Sequence, residues 1–286
     1  MRSLLFVPAD SPRKLEKAID CSADALILDL EDSVALTAKE AARRGAAEFL
    51  RKHGGTDTGP LLLVRINALD SGLADADLDM VAACNPHGIM LPKASGGGDI
   101  QHLGAKLAVR EAETDLVEGS IGILPIVSET ASAIFAMGSY RGASKRLFAM
   151  TWGADVGAET TRDERGDFTP PFQLARNLML FAAASAQVDA IDTVCANFRD
   201  GKLLQRECIE ARRDGFVGKM AIHPDQVAVI NAVFTSSQEA LEHAKAIVSA
   251  FAETPDAGVL SINGAMIDRP HLRQAQRLLA RTGLVR

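Results

Sequence analysis

The sequence predicts an α/β fold, a (β/α)8 TIM barrel with a C-terminal helical extension. Eight short apolar runs rich in branched residues occur along the chain, and stretches long enough for a helix separate them. A chain of 286 residues with 47% hydrophobic residues can bury one large core. The runs span residues 4–8, 25–32, 61–67, 88–93, 121–129, 146–153, 190–197 and 218–224. Eight strand-helix units in sequence predict a closed barrel of parallel strands.

The stretches between the runs are amphipathic or alanine-rich, as crossover helices would be. Examples are SPRKLEKAIDC, TAKEAARRGAAEFLRKH and PPFQLARNLMLFAAASA. We assign residues 1–235 to the barrel and residues 236–286 to a helical lid or oligomerisation extension. That extension is predicted as two helices joined by a Pro/Gly turn. The stripe Leu241, Ala244, Ile247, Val248 and Phe251 would bury itself on the barrel or on a partner.

Composition and charge exclude several classes of function. A formal net charge of -6 provides no basic field for nucleic acid or an acidic membrane surface. The chain has no apolar run of membrane-spanning length and no recognisable signal peptide, so we expect a cytoplasmic protein. Its four cysteines lack C-x-x-C spacing, which argues against a zinc knuckle or a disulfide framework.

Polar residues gather where the predicted strands end. Asp29, Glu31 and Asp32 follow the second run. The later runs lead to Arg65, Asn67, Lys93, Glu129, Asp155 and His223. In a barrel these positions meet at one mouth, which would collect both signs of charge. Alternation along the strand predicts that Arg65 and Asn67 share one face, while Val64 and Ile66 pack on the helices. For each residue alone, a salt bridge at the rim is the alternative.

Seven segments carry a resemblance to a known family. They are RSLLFVPADSPRKLEKA, LILDLEDSV, LLVRIN, LPK, PIVSETASAI, DGFVGKMAIHPDQVAVINAVF and GAMIDRPHLRQAQRLL. In this order they resemble the citrate lyase beta subunit-like family of the HpcH/HpaI aldolase superfamily, over nearly the whole chain. The resemblance implies a magnesium-dependent barrel that cleaves or forms a carbon-carbon bond in 3-hydroxyacyl-CoA thioesters such as malyl-CoA and citramalyl-CoA. It also implies a homo-oligomer, a trimer or a multiple of it, whose C-terminal segment reaches over a neighbour's site.

A magnesium site explains several of the acidic residues. Glu129, in PIVSE, is the expected ligand by position and by resemblance, because Mg²⁺ prefers carboxylate oxygens. Arg65 has the fork geometry that matches a carboxylate, and it can offset charge that develops on the substrate. We expect Asp29, Glu31 and Asp32 to orient Arg65, Lys93 or metal-bound water rather than to ligate the ion together.

The second metal ligand is where the sequence departs from the family pattern. Relatives usually carry two acidic residues after the Gly-Ala of strand six, whereas TWGADVGAETTRDERG has Asp155 alone and looks shorter. We expect Asp155 to take the ligand position. Glu159 or a water could replace it, or the metal site could be defective.

The resemblance assigns the general acid/base to Asp268 in GAMIDRPH, supplied by an adjacent subunit. Desolvation on closure of a lid would raise the pKa of this carboxyl and suit it to move a proton. The alternative is a helix N-cap, because Asp268 precedes Pro270 and a helical pattern.

The resemblance places the coenzyme A contacts at Arg13 and Lys17 and at the backbone around Met220 and Ala221. Arg13 and Lys17 stand four residues apart and share a helix face, although a solvated surface would show the same spacing. His223 fits a structural role in the turn after strand eight better than a role as a base.

The predicted function is therefore a magnesium-dependent carbon-carbon lyase that converts a 3-hydroxyacyl-CoA into an acyl-CoA and a 2-keto acid. A thioesterase of the malyl-CoA type would use the same ion and arginine. A catalytically impaired barrel that binds acyl-CoA is the third possibility, and the short segment after strand six favours it.

Overall fold

The computed structural model describes residues 1–55, 59–153, 161–164 and 166–281, which form two compact units. The first unit is Met1–Phe234 and the second is Thr235–Arg286. Among the helices described, none is long and apolar enough to cross a membrane.

Within the described residues of the first unit, eight parallel strands form one sheet. They are β1 (Ser3–Pro8), β2 (Ala25–Asp29), β3 (Leu61–Arg65), β4 (Gly88–Leu91), β5 (Gly122–Pro125), β6 (Ala149–Thr151), β7 (Asp189–Asp192) and β8 (Gly218–Ala221). Their hydrogen-bonded order is β5-β4-β3-β2-β1-β8-β7-β6. Parallel bridges between Ile123 and Leu147 and between Ile126 and Thr151 join the two ends of this order. The predicted barrel is confirmed, and each apolar run overlaps one strand.

Helices follow the strands as crossover connections. They are α1 (Pro12–Ile19), α2 (Lys39–His53), α3 (Ala74–Val81), α4 (Gly97–Glu113), α5 (Ala131–Ala136), α6 (Pro170–Ala186), α7 (Gly201–Asp214) and α8 (Pro224–Phe234). Short 3-10 turns precede α2 and follow α3 and α5.

Side-chain alternation along the strands produces two apolar layers. The inner layer is contributed by strand residues such as Leu4, Ile27 and Leu63, so the barrel interior is packed. The outer layer joins the opposite strand faces to the helices and contains Val64 and Ile66, as predicted.

The second unit differs from the prediction of two helices joined by a turn. A two-stranded antiparallel hairpin, β9 (Val259–Ile262) and β10 (Ala265–Asp268), lies between α9 (Gln238–Glu253) and α10 (Arg269–Arg281). Asn263 and Gly264 adopt φ angles of 51° and 79°, the left-handed pair that a tight hairpin turn requires. This Asn-Gly turn was the missed signal.

The apolar stripe of α9 is buried within its own unit. Ala244, Ile247 and Phe251 form a small core with residues of β10 and α10, which include Ile267 and Leu279. The sequence prediction, which offered only the barrel or a partner, was wrong because α10 covers the stripe.

Candidate active site at the carboxyl ends of the strands

Asp29 and Arg65 are the last residues of β2 and β3, and they are paired in the strand register. Arg65 Nε and Nη2 donate to the two carboxylate oxygens of Asp29, each over 2.7 Å. The backbone N–H groups of Glu31 and Ser33 also donate to Asp29. Burial alone would raise the pKa of Asp29, but these hydrogen bonds and the charge of Arg65 lower it. The carboxylate is therefore ionised and holds the guanidinium in one orientation.

Glu31 joins Arg65 to Lys93. Its Oε2 lies 2.9 Å from Arg65 Nη1, and its Oε1 lies 2.5 Å from Lys93 Nζ. Asp32 stands farther out, 3.6 Å from Lys93 Nζ, and its side chain is 67% exposed. The hydrogen bond that Lys93 donates to Glu31 raises the pKa of Lys93, so the ammonium is retained. The acidic residues that follow β2 thus contact both cations.

Glu129 follows β5 and closes this chain of contacts. Its Oε2 accepts a hydrogen bond of 2.5 Å from the backbone N–H of Lys93. Lys93 adopts a left-handed φ of 52°, a conformation that is uncommon outside glycine. The contacts therefore run from Arg65 through Glu31 and Lys93 to Glu129.

Gly153 provides the space that the Glu129 side chain occupies. A Cβ atom at Gly153 would lie 2.7 Å from Glu129 Cγ and 3.0 Å from Ile126 Cγ2. Any larger residue at this position would displace the side chain of Glu129 or that of Ile126.

The surroundings of the Glu129 carboxyl disfavour its ionised form. Burial, reinforced by the nearby charge of Glu31, raises the pKa of Glu129 to about 7, although Lys93 and Arg65 act in the opposite direction. Its Oε1 accepts no hydrogen bond from the described residues. A divalent cation at this oxygen would stabilise the ionised form, and a hard carboxylate oxygen is the donor that magnesium prefers.

The rest of a metal site is not seen in the described residues. No group of three His, Cys, Asp or Glu side chains able to hold a metal is found among them. Asp155 and its alternative Glu159 lie outside the described residues.

Sequence reasoning missed the support beneath Glu31. Lys39, at the start of α2, donates from Nζ to the carbonyls of Leu30 and Glu31, each over 2.7 Å. Asn67 Nδ2 donates to the Leu30 carbonyl over 3.1 Å and to Asp77 Oδ2 over 2.6 Å. These bonds fix the loop that carries Glu31.

Asn67 was expected to share a face with Arg65, and that expectation was wrong. The strand ends at Arg65, so its alternation does not extend to Asn67, which binds Asp77 of α3 instead.

A second missed feature is a buried network around Lys219 on β8. Lys219 Nζ lies 2.7 Å from Asp192 Oδ2 and 3.1 Å from Glu207 Oε2, and its side chain is fully buried. Asp192 accepts from the indole of Trp152, and Glu207 accepts from Arg162. Trp152 and Arg162 flank residues 154–160 in the sequence, so this network holds the chain on both sides of that segment. Charged residues inside predicted strands seven and eight were the available signal.

The residues predicted to contact coenzyme A differ in exposure. Arg13 and Lys17 are exposed on one face of α1 and form no ion pair within the described chain. Met220 lies in the inner layer, where its Sδ accepts from Thr151 Oγ1, and Ala221 is buried. Only backbone atoms of these two β8 residues could therefore touch a ligand.

His223 lies in the turn between β8 and α8. Its ring stacks on Phe198, and Nδ1 accepts from the backbone N–H of Asp225 over 3.2 Å. These contacts match the structural role expected for this histidine.

Asp268 lies in the second unit, at the junction of β10 and α10. Its Oδ1 is 2.5 Å from His271 Nδ1 and 3.4 Å from the His271 backbone nitrogen. The pKa of Asp268 is lowered by the hydrogen bond to His271. The pKa rise predicted from the sequence was for a carboxyl desolvated by closure of a lid; in this chain the Asp268 side chain is partly exposed and bonded to an imidazole.

Two family models match the chain. Residues 2–224 match the model described as HpcH/HpaI aldolase/citrate lyase. Residues 172–284 match a model described as C-C_Bond_Lyase of the TIM-Barrel fold.

Individual relatives cover almost the whole chain. A mitochondrial citramalyl-CoA lyase of Rattus norvegicus is 33% identical, over 97% of this chain and 85% of the relative. A (3S)-malyl-CoA thioesterase of Cereibacter sphaeroides is also 33% identical, over 98% of this chain and 94% of the relative. The crystal structure of CitE from Mycobacterium tuberculosis, in complex with magnesium, acetoacetate and coenzyme A, is 30% identical with a TM-score of 0.72. That match covers 99% of this chain and 98% of CitE.

Proposed function

The chain belongs to the HpcH/HpaI aldolase/citrate lyase family, and on that premise we propose that it is a magnesium-dependent carbon-carbon lyase. Its substrate would be a 3-hydroxyacyl-CoA thioester of the citramalyl-CoA or malyl-CoA type, and its products an acyl-CoA and a 2-keto acid. The citramalyl-CoA lyase relative and the magnesium and coenzyme A bound to CitE support this choice.

The observation that carries the proposal is the continuous contact from Arg65 to Glu129 at one mouth of the barrel. The fixed cation and the carboxylate are linked through Glu31 and Lys93. Cleavage of the thioester leaves a keto acid and an enolate, both of which need positive charge close to their oxygens. Arg65, held in one orientation beside a carboxylate that would bind the metal ion, supplies this positive charge.

Glu129 would hold the magnesium ion, with Asp155 as the second protein ligand. When bound, magnesium supplies Lewis acidity toward the hydroxyl and carboxylate oxygens of the substrate. Arg65, oriented by Asp29, would bind the substrate carboxylate or offset the developing negative charge. Lys93 and Glu31 would fix the positions of Arg65 and Glu129 relative to each other.

Asp268 would move the proton. It would take the proton of the 3-hydroxyl group as the carbon-carbon bond breaks, and return it to the enolate carbon of the acyl thioester. The family resemblance supports this role and its delivery by an adjacent subunit of a homotrimer.

Coenzyme A would be bound at α1 and β8. Arg13 and Lys17 form an exposed cationic face that would pair with phosphate groups, and backbone atoms at Met220 and Ala221 would contact the rest of the cofactor. A cytoplasmic location would accord with these substrates.

A thioesterase is the second candidate, because the malyl-CoA thioesterase relative is as similar as the citramalyl-CoA lyase. Product analysis separates the two activities. Several 3-hydroxyacyl-CoA thioesters should be incubated with the protein, with magnesium and with a chelator. Magnesium-dependent release of a 2-keto acid and a shorter acyl-CoA supports the lyase. Free coenzyme A with an intact hydroxy diacid supports hydrolysis, and no turnover of any thioester argues for a binding protein.

A further inference from the structure

Asp268 and His271 form a close pair at the start of α10. Asp268 Oδ1 and His271 Nδ1 are 2.5 Å apart. Both atoms carry a lone pair when they are unprotonated, so a proton must lie between them at this distance. Asp268 Oδ2 accepts no hydrogen bond from any described residue. One carboxylate oxygen is thus engaged by the imidazole and the other is open.

The same residues resemble a capping box, which would be a purely structural role. The His271 backbone N–H lies 3.4 Å from Asp268 Oδ1, and the Asp268 backbone N–H lies 3.3 Å from His271 Nδ1. In a capping box the residue at the third helical position accepts the latter bond, usually through Glu or Gln. An acceptor alone does not explain the contact between Oδ1 and Nδ1, because two lone pairs would repel each other there.

We infer that His271 is a positioning residue for Asp268, with which it shares one proton, so that the carboxylate is fixed through Oδ1 and presents Oδ2 for proton transfer. This inference rests on the proposed function, in which Asp268 moves the proton. Oδ2 takes the 3-hydroxyl proton as the carbon-carbon bond breaks and returns it to the enolate carbon. The shared proton stays between Oδ1 and Nδ1 throughout, so the imidazole has no net change in protonation over the cycle.

Few other ionisable groups face this pair. On α9, His243 lines the same groove as His271. On α10, Arg269 is directed elsewhere, because its guanidinium donates to the Pro255 carbonyl and lies over Phe251. The strands β9 and β10 add no ionisable residue besides Asp268. Loss of the His271 imidazole should therefore change the pKa of Asp268 with little compensation from other groups.

The test compares His271→Gln, His271→Ala and the control His243→Ala in the full-length protein with saturating magnesium. Glutamine can still accept the Asp268 N–H bond of a capping box, but it cannot share a proton. We expect His271→Gln to keep the thermal midpoint of the wild type, to lose about tenfold in kcat, and to move the acidic limb of kcat/KM to higher pH. His271→Ala should show the same shift with a lower thermal midpoint. His243→Ala should match the wild type.

Two measurements on Asp268→Asn complete the test: the ring ¹⁵N signals of His271 and the activity of the variant. The ring ¹⁵N signals of His271, assigned by their loss in His271→Gln, should change in Asp268→Asn, because the shared proton is lost. Wild-type pH profiles for both His271 variants, with Asp268→Asn inactive, would overturn the inference and leave the proposed function intact. Full activity of Asp268→Asn would instead overturn the proposed proton transfer itself.

Discussion

Arg65 and Asp29 meet side by side, with Nε and Nη2 of the guanidinium each 2.7 Å from one oxygen of the buried carboxylate. Replacing Asp29 with Asn removes the charge and one of the two acceptors, so Arg65 loses its fixed orientation. We predict a fall in kcat of about tenfold to a hundredfold in Asp29→Asn, the usual effect of losing a group that orients a site residue. Steady-state kinetics of thioester cleavage would measure it.

The chain provides a matched control for this change. Arg2 and Asp24 form a similar two-point ion pair just before β1 and β2, at the opposite end of the barrel. Asp24→Asn should reduce stability while kcat remains that of the wild type. Equal kcat losses in the two variants would mean that Asp29 acts through stability alone.

Gly153 gives a steric prediction. A methyl group in Gly153→Ala would fall 2.7 Å from Glu129 Cγ, so the carboxylate must move. We predict a weaker magnesium affinity, by about tenfold or more, measured by calorimetric titration. Gly138→Ala is the control, because no atom lies within 4 Å of a Cβ at that position. Unchanged affinity in Gly153→Ala would show that Glu129 does not set the affinity for the ion.

The exposed face of α1 should affect substrate binding rather than chemistry. Reversing both charges in the double variant Arg13→Glu/Lys17→Glu should raise KM for an acyl-CoA thioester about tenfold at low salt, with little change in kcat. Added salt should narrow the difference in KM between the double variant and the wild type, because it screens exposed charges. Lys14→Glu changes a neighbouring face of the same helix and should have a smaller effect. Identical KM values in all three proteins would remove α1 from the coenzyme A site.

The buried pair of Glu111 and Arg146, away from the proposed site, predicts an acid-sensitive contribution to stability. Nη1 and Nη2 of Arg146 each donate over 2.6 Å to a different carboxylate oxygen of Glu111. Burial acts to raise the pKa of Glu111, but Arg146 and two backbone N–H groups lower it from 4.5 to about 2. A lowered pKa in the folded state stabilises the protein above the unfolded value of 4.5. This stability is lost as the pH falls from 4.5 toward 2.

Urea unfolding at pH 6 and pH 3, followed by the fluorescence of Trp152, would measure this effect. Trp152 is the single tryptophan of the chain and is buried. The wild type should lose more unfolding free energy between these pH values than Glu111→Gln does. Equal losses in the two proteins would show that Glu111 is not the group responsible.

The barrel was predictable because its strands are short, branched and buried on both faces, and so stand out from the helices. The clustering of Glu31, Arg65 and Glu129 followed from the same prediction, since the carboxyl ends of parallel strands meet at one mouth. Sequence spacing could not show that Arg65 pairs with Asp29 in strand register. That contact depends on which strands are neighbours and on their alignment.

Other features were missed because they depend on tertiary contacts. Lys39 is a buried cation at the start of a helix, and nothing in its local sequence separates it from a surface lysine. Lys219 stood inside a predicted strand, but its partners Asp192 and Glu207 come from other elements and could not be identified from spacing. Asn67 turns to α3 because β3 ends two residues earlier. The β9–β10 hairpin is short, and its Asn-Gly turn was read as part of a lid rather than as a strand connection.

The most direct test of the central claim is magnesium-dependent keto acid release by the wild type and by Glu129→Gln. Glutamine keeps the size of the side chain and removes its charge, so the ion loses its proposed ligand. We predict that the wild type binds magnesium and releases a 2-keto acid, and that Glu129→Gln loses about a hundredfold or more of both magnesium affinity and turnover. Unchanged binding and turnover in Glu129→Gln, at an unchanged thermal midpoint, would contradict the proposed site.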